Sequence, residues 1–248
     1  MASRIETGHS KNVTNFETLL AHCKALGVRY NPSNEEITLG NLTILYNEAK
    51  LRVNEVKKAK SPFDDAVGMR FKTFKPYKSL STKVIGALVS SGAPATVIDD
   101  AETIKRRMSG SRAPGSKEKF NPDGSTIDRN SVSQQSYDLK IDHLEKLVEL
   151  LDIEPKYNPN EDNLKVANLQ DYLRDLESKN TLVKSAYQPY SISMNQRDRK
   201  LYDPTAGLVA RAKSVKSYLK SVFGTTAPEY IKANKIPFRT IVKIVEQE

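Results

Sequence analysis

Three histidines and one cysteine are the side chains in this sequence best suited to binding a metal ion or attacking a substrate. A di-iron site in a helical bundle needs Glu-x-x-His on two helices, so that a carboxylate and an imidazole project together into the core. Neither His22 nor His143 has a glutamate three residues earlier, because Leu19 and Lys140 occupy those positions. We therefore predict no metal site.

The adjacent residues His22 and Cys23 could not chelate one ion, because neighbouring side chains on a helix point about 100° apart. Cys23 falls on the apolar face of a predicted helix with no obvious base, which is typical of a cysteine packed as a small hydrophobic residue. A lone cysteine also excludes an internal disulfide. We expect His9 to lie in a disordered leader, and the other two histidines to lie at the surface or boundary of helices.

Recognisable catalytic motifs are missing from the sequence, which has no Gly-x-Ser-x-Gly, Walker or dinucleotide-binding pattern. The carboxylate pairs Glu35-Glu36, Asp64-Asp65 and Asp99-Asp100 fall near predicted helix starts, where the helix dipole favours negative charge. That position explains them without catalysis. We predict no enzymatic activity, no catalytic residue and no cofactor.

Composition indicates a folded protein of one or two domains. The chain has 248 residues, 38% of them hydrophobic, and a formal charge of +9. No apolar run approaches the roughly 18 residues of a membrane span, and the N-terminus has no apolar signal region. These features predict a cytoplasmic protein that does not associate with membranes.

The strongest pattern is an internal repeat, in which Tyr30 corresponds to Tyr157 at an offset of 127 residues. Three prolines recur in the same order, which predicts a tandem duplication. The repeated residues are Tyr30-Asn31-Pro32 and Tyr157-Asn158-Pro159, Asn41-Leu42 and Asn168-Leu169, Ala59 and Ala186, Pro62 and Pro189, and, after one residue of slippage, Pro76 and Pro204.

Each copy has the periodicity of four amphipathic helices, because apolar residues recur every three or four positions. The first helix of copy one is predicted to be short, from Phe16 to Cys23. Pro62 and Pro189 are predicted to break a long second helix and open a third, since proline suits a first turn and not an interior. Pro76 and Pro204 are predicted to open the fourth helix, and Gly92 and Gly224 to end it.

We therefore predict an all-α fold of two tandem, duplicated four-helix-bundle-like units joined by a flexible linker. Residues 1–108 form the first unit, with an extra helix over 94–108, and residues 137–248 form the second. Residues 109–136 are rich in Ser, Gly, Pro and charge, which predicts the linker. A short helix is expected near Pro228–Asn234, followed by a tail that could be a strand or irregular.

The basic excess is concentrated in residues 1–92, which carry 14 basic and 8 acidic residues. Such a surface could bind a phosphate backbone or a protein partner, although solvated helix faces also carry lysine and arginine. The candidate anion- or partner-binding residues are Lys105, Arg106, Arg107, Arg197, Arg199, Lys200, Lys213, Lys216 and Lys220.

Several motifs resemble an uncharacterised family of bacterial proteins made of two tandem helical units. The resemblance implies an all-helical duplicated fold and supplies no activity, cofactor or catalytic residue. The motifs that carry it are Gly8-His9-x-x-Asn12-Val13-x-Asn15-Phe16, Tyr30-Asn31-Pro32-Ser33-Asn34, Gly207-Leu208-Val209, Val222-Phe223-Gly224, Glu229-Tyr230-x-Lys232 and Ile236-x-Phe238.

The first functional hypothesis is a non-enzymatic helical scaffold or protein-interaction module with unidentified protein partners. Two similar units on one chain could engage two sites, which raises overall affinity through effective concentration. The alternatives are a nucleic-acid-associated protein that uses the basic first copy and a small-ligand binder with a pocket between helices.

Overall fold

The structure, a computed structural model, describes residues 4–111 and 135–240, with side chains from residue 8 onward. Over this part of the chain it contains helices and no β-strand, so the predicted all-α class is confirmed. The α-helices are α1 (Arg4–Ala25), α2 (Leu39–Phe74), α3 (Tyr77–Ser90), α4 (Ala95–Ser109), α5 (Tyr137–Asp152), α6 (Val166–Tyr202), α7 (Leu208–Phe223) and α8 (Pro228–Asn234). Short 3₁₀ turns are Gly27–Arg29, Glu35–Ile37 and Asp162–Leu164.

The helices α2 and α6 are continuous through Pro62 and Pro189, so the predicted helix breaks at these prolines are wrong. The carboxylates Asp64 and Asp65 consequently lie inside α2 and not near a helix start. Beside the two prolines, the rings of Phe63 and Tyr190 stack with their centroids 5.4 Å apart. The two helices thus pack together at the positions where the low helix propensity of proline disfavours a continuous helix.

The chain forms two compact units that differ from the predicted units 1–108 and 137–248. Unit 1 comprises residues 1–63 and 186–248, and unit 2 comprises residues 64–185. Each unit therefore combines residues from both predicted copies. The physical reason is the continuity of α2 and α6, because the residues before and after the midpoint of each long helix belong to different cores.

Unit 1 has one apolar core, to which α1, the first part of α2, the last part of α6, α7 and α8 contribute. The apolar face of α1 packs in the same core as the face of α7 that the periodicity predicted. The most deeply buried members are Phe16, Leu19, Cys23, Leu42, Ala49, Leu201, Leu208, Ala212, Val215, Leu219 and Ala233.

Unit 2 has a second core, built from the last part of α2, from α3, α4 and α5, and from the first part of α6. The predicted extra helix 94–108 is confirmed as α4, which packs against both α3 and α5. The most deeply buried members are Val84, Leu88, Ala101, Met108, Leu144, Leu147, Leu151, Leu169 and Leu176.

The Tyr-Asn-Pro turns have the same local structure in both units. The hydroxyl of Tyr30 donates a hydrogen bond to the carbonyl of Ile37 at 2.7 Å, and the hydroxyl of Tyr157 donates to the carbonyl of Leu164 at 2.8 Å. Both tyrosines are buried. Each hydroxyl therefore fixes the 3₁₀ turn that precedes a long helix.

The ends of the predicted helices are partly confirmed. Pro76 caps the start of α3, whereas α7 begins at Leu208, four residues after Pro204. The delay follows from Asp203, whose carboxylate accepts hydrogen bonds from the backbone N–H groups of residues 205 and 206 and holds a turn there. Gly92 and Gly224 follow α3 and α7 with φ of +74° and +81°, as predicted for helix stops.

The first helix is longer than predicted, because α1 begins at Arg4. His9 lies in this helix and is fully buried, so the expectation that it belongs to a disordered leader is wrong. The short helix over Pro228–Asn234 is confirmed as α8. Most of the predicted linker (residues 112–134) and the end of the tail (residues 241–248) lie outside the described residues.

Candidate functional site

The nine predicted basic residues are divided between the units. Lys105, Arg106 and Arg107 lie on α4 in unit 2, and the other six lie on α6 and α7 in unit 1. Two of those six are engaged in ion pairs. Arg197 is only 3% exposed and its Nε lies 2.8 Å from Asp198 Oδ1, while Lys200 Nζ lies 2.7 Å from Glu48 Oε2. Arg199, Lys213 and Lys220 are exposed.

Lys216 binds the chain's own C-terminal segment, which we define as residues 236–239. Its Nζ donates hydrogen bonds to the carbonyls of Asn234 at 3.2 Å and Ile236 at 2.5 Å. The same ammonium lies 5.2 Å from the centroid of the Phe238 ring. Burial lowers the pKa of Lys216. This lysine is therefore a ligand for peptide carbonyls.

Two asparagines of α1 hold the other end of the C-terminal segment. Asn15 Nδ2 donates to the carbonyl of Pro237 at 2.6 Å. Asn12 makes both bonds that a side-chain amide can make to one residue, because its Nδ2 donates to the carbonyl of Arg239 at 2.7 Å and its Oδ1 accepts from the Arg239 N–H at 3.2 Å. The segment is thus bound mainly through its backbone.

The C-terminal segment is also bound through a side chain, that of Phe238. Phe238 packs edge to face on Phe16, with centroids 6.4 Å apart, and is also in contact with the core of unit 1. We call the surface formed by Asn12, Asn15, Phe16 and Lys216 the capture groove. It combines an apolar site for one side chain with polar groups that bind backbone atoms.

A buried polar network contacts Asn12, one of the residues of the capture groove. His9 Nδ1 lies 2.6 Å from the hydroxyl of Tyr202, and Asn12 Nδ2 lies 3.3 Å from the same hydroxyl. All three side chains are buried. A second bond to a fixed hydroxyl restricts the orientation of the Asn12 amide, so the groove is organised in advance.

The capture groove was not predicted from the sequence, although the motif from Gly8 to Phe16 contains three of its residues. His9, Asn12 and Phe16 are spaced three and four residues apart, which puts them on the same helix face as the apolar core. Polar residues at core-facing positions are the signal that could have indicated buried hydrogen bonding. The contacts of Lys216 with residues 234 and 236 depend on tertiary structure and left no such signal.

A cleft of about 430 Å³ lies in unit 2, at the start of α3 and α6. Its apolar surface comes mainly from Leu80, Leu169 and Tyr172, and the hydroxyl of Tyr172 donates to the carbonyl of Thr73 at 2.9 Å. The remaining lining residues are Pro76, Ser79, Lys83, Asn163 and Asn168. The sequence analysis kept a ligand pocket between helices as an alternative but did not predict these lining residues.

The residues first considered for metal or nucleophilic chemistry have other surroundings. Cys23 is fully buried, and burial raises the pKa of its thiol to about 12. The ring of His22 lies 2.8 Å from the carbonyl of Glu229. His143 is 4% exposed, so its assignment to a helix surface or boundary is wrong, and burial lowers its pKa. Among the described residues, no three His, Cys, Asp or Glu side chains are grouped to hold a metal ion.

Comparison with protein-family models, curated proteins and solved structures gives no match for this chain. Over the described part of the chain, every helix is too short or too polar to cross a lipid bilayer.

Proposed function

We propose that this protein is a non-enzymatic protein-interaction module, and that unit 1 recognises an extended peptide segment of a partner in the capture groove. The observation that carries the proposal is the binding of three backbone carbonyls of the C-terminal segment, those of Ile236, Pro237 and Arg239, by side chains of α1 and α7. Hydrogen bonds to backbone atoms supply affinity for an extended chain of varied sequence.

Specificity would come from the apolar side chains of the segment, because Ile236 and Phe238 both pack against the core of unit 1. Phe238 contacts Phe16 and lies beside the Lys216 ammonium, an arrangement that favours an aromatic ring through its negative face. The expected partner segment is therefore extended and carries one aromatic residue. Proline before the aromatic residue, as in Pro237, would favour the extended conformation in advance.

The chain's own segment occupies the groove, so a partner has to compete with it. An intramolecular ligand on a short tether acts at an effective concentration on the order of millimolar. A partner segment must therefore bind more tightly than this self-peptide, or the self-peptide must be released. In this proposal the C-terminal segment limits access to the groove.

The contacts of three of the nine candidate basic residues make these three less suited to binding a nucleic acid. Arg197, Lys200 and Lys216 are engaged by carboxylates or carbonyls within unit 1. Their positive charge is therefore partly neutralised or sterically occupied, whereas nucleic-acid binding draws on cations that are free to contact phosphates.

We also propose that residues 1–108 and 137–248 are copies derived from a duplication, as in the resembled family of tandem helical proteins, with residues 109–136 as the linker between them. Support comes from the equivalent hydrogen bonds of Tyr30 and Tyr157, and from the starts of α2 and α6, which are separated by the same offset as the tyrosines. Two related units would let one chain hold two partner sites.

To test the proposal, a substitution releases the C-terminal segment from the capture groove, and the same segment is then added as a separate peptide. In the full chain, Phe238→Asp removes the aromatic contact and should vacate the groove. Fluorescence anisotropy then measures binding of a labelled peptide that contains residues 233–240. We expect the Phe238→Asp variant to bind the peptide at least tenfold more tightly than the wild-type chain, because its groove is not occupied in cis.

Matched substitutions in the Phe238→Asp background identify the groove. Lys216→Met should weaken peptide binding more than tenfold, because hydrogen bonds from a charged donor contribute about 1.5–3 kcal/mol. Lys24→Met, an exposed position on α1, serves as the control and should leave binding unchanged. Failure of the folded Phe238→Asp variant to bind the peptide, or equal effects of the two lysine substitutions, would contradict the proposal.

A host lysate then tests for the partner itself. Proteins captured on the Phe238→Asp chain should be released by an excess of the unlabelled peptide of residues 233–240. Captured proteins that this peptide does not displace bind elsewhere and do not support the capture groove as the recognition site.

A further inference from the structure

In unit 1 an ion pair bridges the helix α7 and the 3₁₀ turn before α2, at the place that corresponds to the cleft in unit 2. In unit 1, Arg211 lies 2.5 Å from Glu36 Oε2. Arg211 is the fourth residue of α7, and Glu36 is the middle residue of the 3₁₀ turn before α2. This 3₁₀ turn packs against α7.

The equivalent positions in unit 2 carry smaller or neutral side chains. The fourth residue of α3 is Leu80, and the middle residue of the 3₁₀ turn before α6 is Asn163. This turn also packs against α3. Both Leu80 and Asn163 line the cleft. Exchanging an arginine for a leucine removes the side chain that bridges the turn and the helix in unit 1, which accounts for the open space in unit 2.

The pattern of buried positions supports this correspondence between α3 and α7. Counted from the helix starts, the first, fifth, eighth and twelfth residues are buried in both helices. In α3 these are Tyr77, Ser81, Val84 and Leu88, and in α7 they are Leu208, Ala212, Val215 and Leu219.

The cleft has a positive charge without a complementary negative one. Lys83 is its single ionisable lining residue apart from the tyrosine, and among the described residues it has no ion-pair or hydrogen-bond partner. Asp162, next to the lining residue Asn163, is paired with Lys165 at 2.7 Å. In unit 1, by contrast, the carboxylate of Glu36 neutralises Arg211.

We propose that this cleft binds a small organic carboxylate with an apolar body. The carboxylate would lie at Lys83 and accept hydrogen bonds from the amide groups of the cleft, supplying the negative charge that Glu36 provides in unit 1. The apolar body would lie on Leu80, Leu169 and the ring of Tyr172. A volume of about 430 Å³ is in the range of small-molecule sites, which combine an apolar lining with a few polar groups.

The direct test titrates 3-phenylpropanoate and its neutral analogue 3-phenylpropanamide into the full-length ¹⁵N-labelled protein. Amide chemical shifts report both the affinity and the location of binding. We expect the carboxylate to shift the resonances of cleft residues and to bind three- to fivefold more tightly than the amide, which is the contribution of one exposed ion pair. Equal affinity of the two compounds, or shifts located elsewhere, would overturn the proposal.

Variants test the assignment of the site. Lys83→Met keeps the apolar stem and should weaken binding of the carboxylate three- to fivefold without altering that of the amide. Lys58→Met removes an exposed lysine of unit 1 and should change nothing. The double variant Leu80→Arg/Asn163→Glu installs the unit 1 ion pair and should abolish binding of both compounds. Unchanged binding in the double variant, confirmed as folded by its spectrum, would refute the cleft as the site.

A phosphate ester provides a further discriminating probe. Tighter binding of phenyl phosphate than of 3-phenylpropanoate would reject a carboxylate as the ligand class. The cleft and the capture groove belong to different units, so loss of one binding activity has no bearing on the other. Peptide binding by the Phe238→Asp variant and carboxylate binding by the wild-type chain can therefore succeed or fail separately.

Discussion

Alanine in place of Pro62 or Pro189 should stabilise the folded chain, because both prolines lie inside continuous helices. Proline inside a helix removes one N–H donor and places its ring against the carbonyl four residues earlier. Alanine restores the hydrogen bond and relieves the clash. Both prolines are exposed, so replacing either one removes little packing.

The size of the effect follows from two opposing contributions. The helix interior favours alanine over proline by about 3 kcal/mol. Alanine also gives the unfolded chain more freedom, which offsets about 0.4–1 kcal/mol of that gain. Each substitution should therefore raise the free energy of unfolding by about 2 kcal/mol. The double variant measures coupling between the two sites, since Phe63 and Tyr190 beside them are stacked.

The assay is urea denaturation followed by far-UV circular dichroism. With a slope of about 2 kcal/mol/M, each variant should raise the midpoint by about 1 M. Pro94→Ala is the control, because Pro94 caps the start of α4, where no helical N–H is required, and its effect should stay within about 0.5 kcal/mol. If Pro62→Ala and Pro189→Ala are neutral or destabilising, the prolines begin new helices and the continuity of α2 and α6 is refuted.

Three further predictions concern buried polar groups. Tyr30→Phe and Tyr157→Phe should each lower the free energy of unfolding by about 1–3 kcal/mol, because each leaves a buried carbonyl without its donor. Urea midpoints measure this loss. Tyr187→Phe, at an exposed position, is the control and should show no loss. Burial raises the pKa of the Cys23 thiol to about 12. At pH 8 it should therefore react with an aromatic disulfide reagent about a thousandfold more slowly in the folded chain than in urea, as measured by absorbance. Equal rates would show an accessible thiolate. His143 has a lowered pKa in the folded state, so its contribution to stability is present above the unfolded pKa of about 6.5 and is lost as the pH falls below it. The midpoint of the wild-type chain should therefore drop between pH 7.5 and pH 5 more than that of His143→Leu, and an identical drop in both would count against this role.

The apolar faces of several helices and the Tyr-Asn-Pro turns were predictable, because both depend on residues that are close in the sequence. Apolar residues every three or four positions define the faces of α3, α5 and α7, and a glycine with positive φ is the usual helix stop. The recurrence of tyrosine before the turn also had a local basis, because the Tyr30 hydroxyl bonds a carbonyl only seven residues away. Such contacts are present in the spacing of the sequence itself.

The site residues were predicted much less well, since their partners are distant in the chain. Lys216 was selected as a basic surface residue, yet it binds the carbonyl of Ile236 through a contact that only folding creates. His9 and Asn12 bond to Tyr202 about 190 residues away. The cleft at Leu80 and Asn163 depends on which helix packs beside which turn, and periodicity does not specify that.

Local patterns in the sequence specify that this chain is helical, where most of its apolar faces lie, and where the two Tyr-Asn-Pro turns fall, because these features depend on residues within a few turns of one another. Packing between segments distant in the sequence is needed to explain why the helices continue through Pro62 and Pro189, and why each core combines residues from both predicted copies. The physical reason is that a helix break at proline is a local preference of a few kcal/mol, which the burial of a long apolar face against distant segments can outweigh.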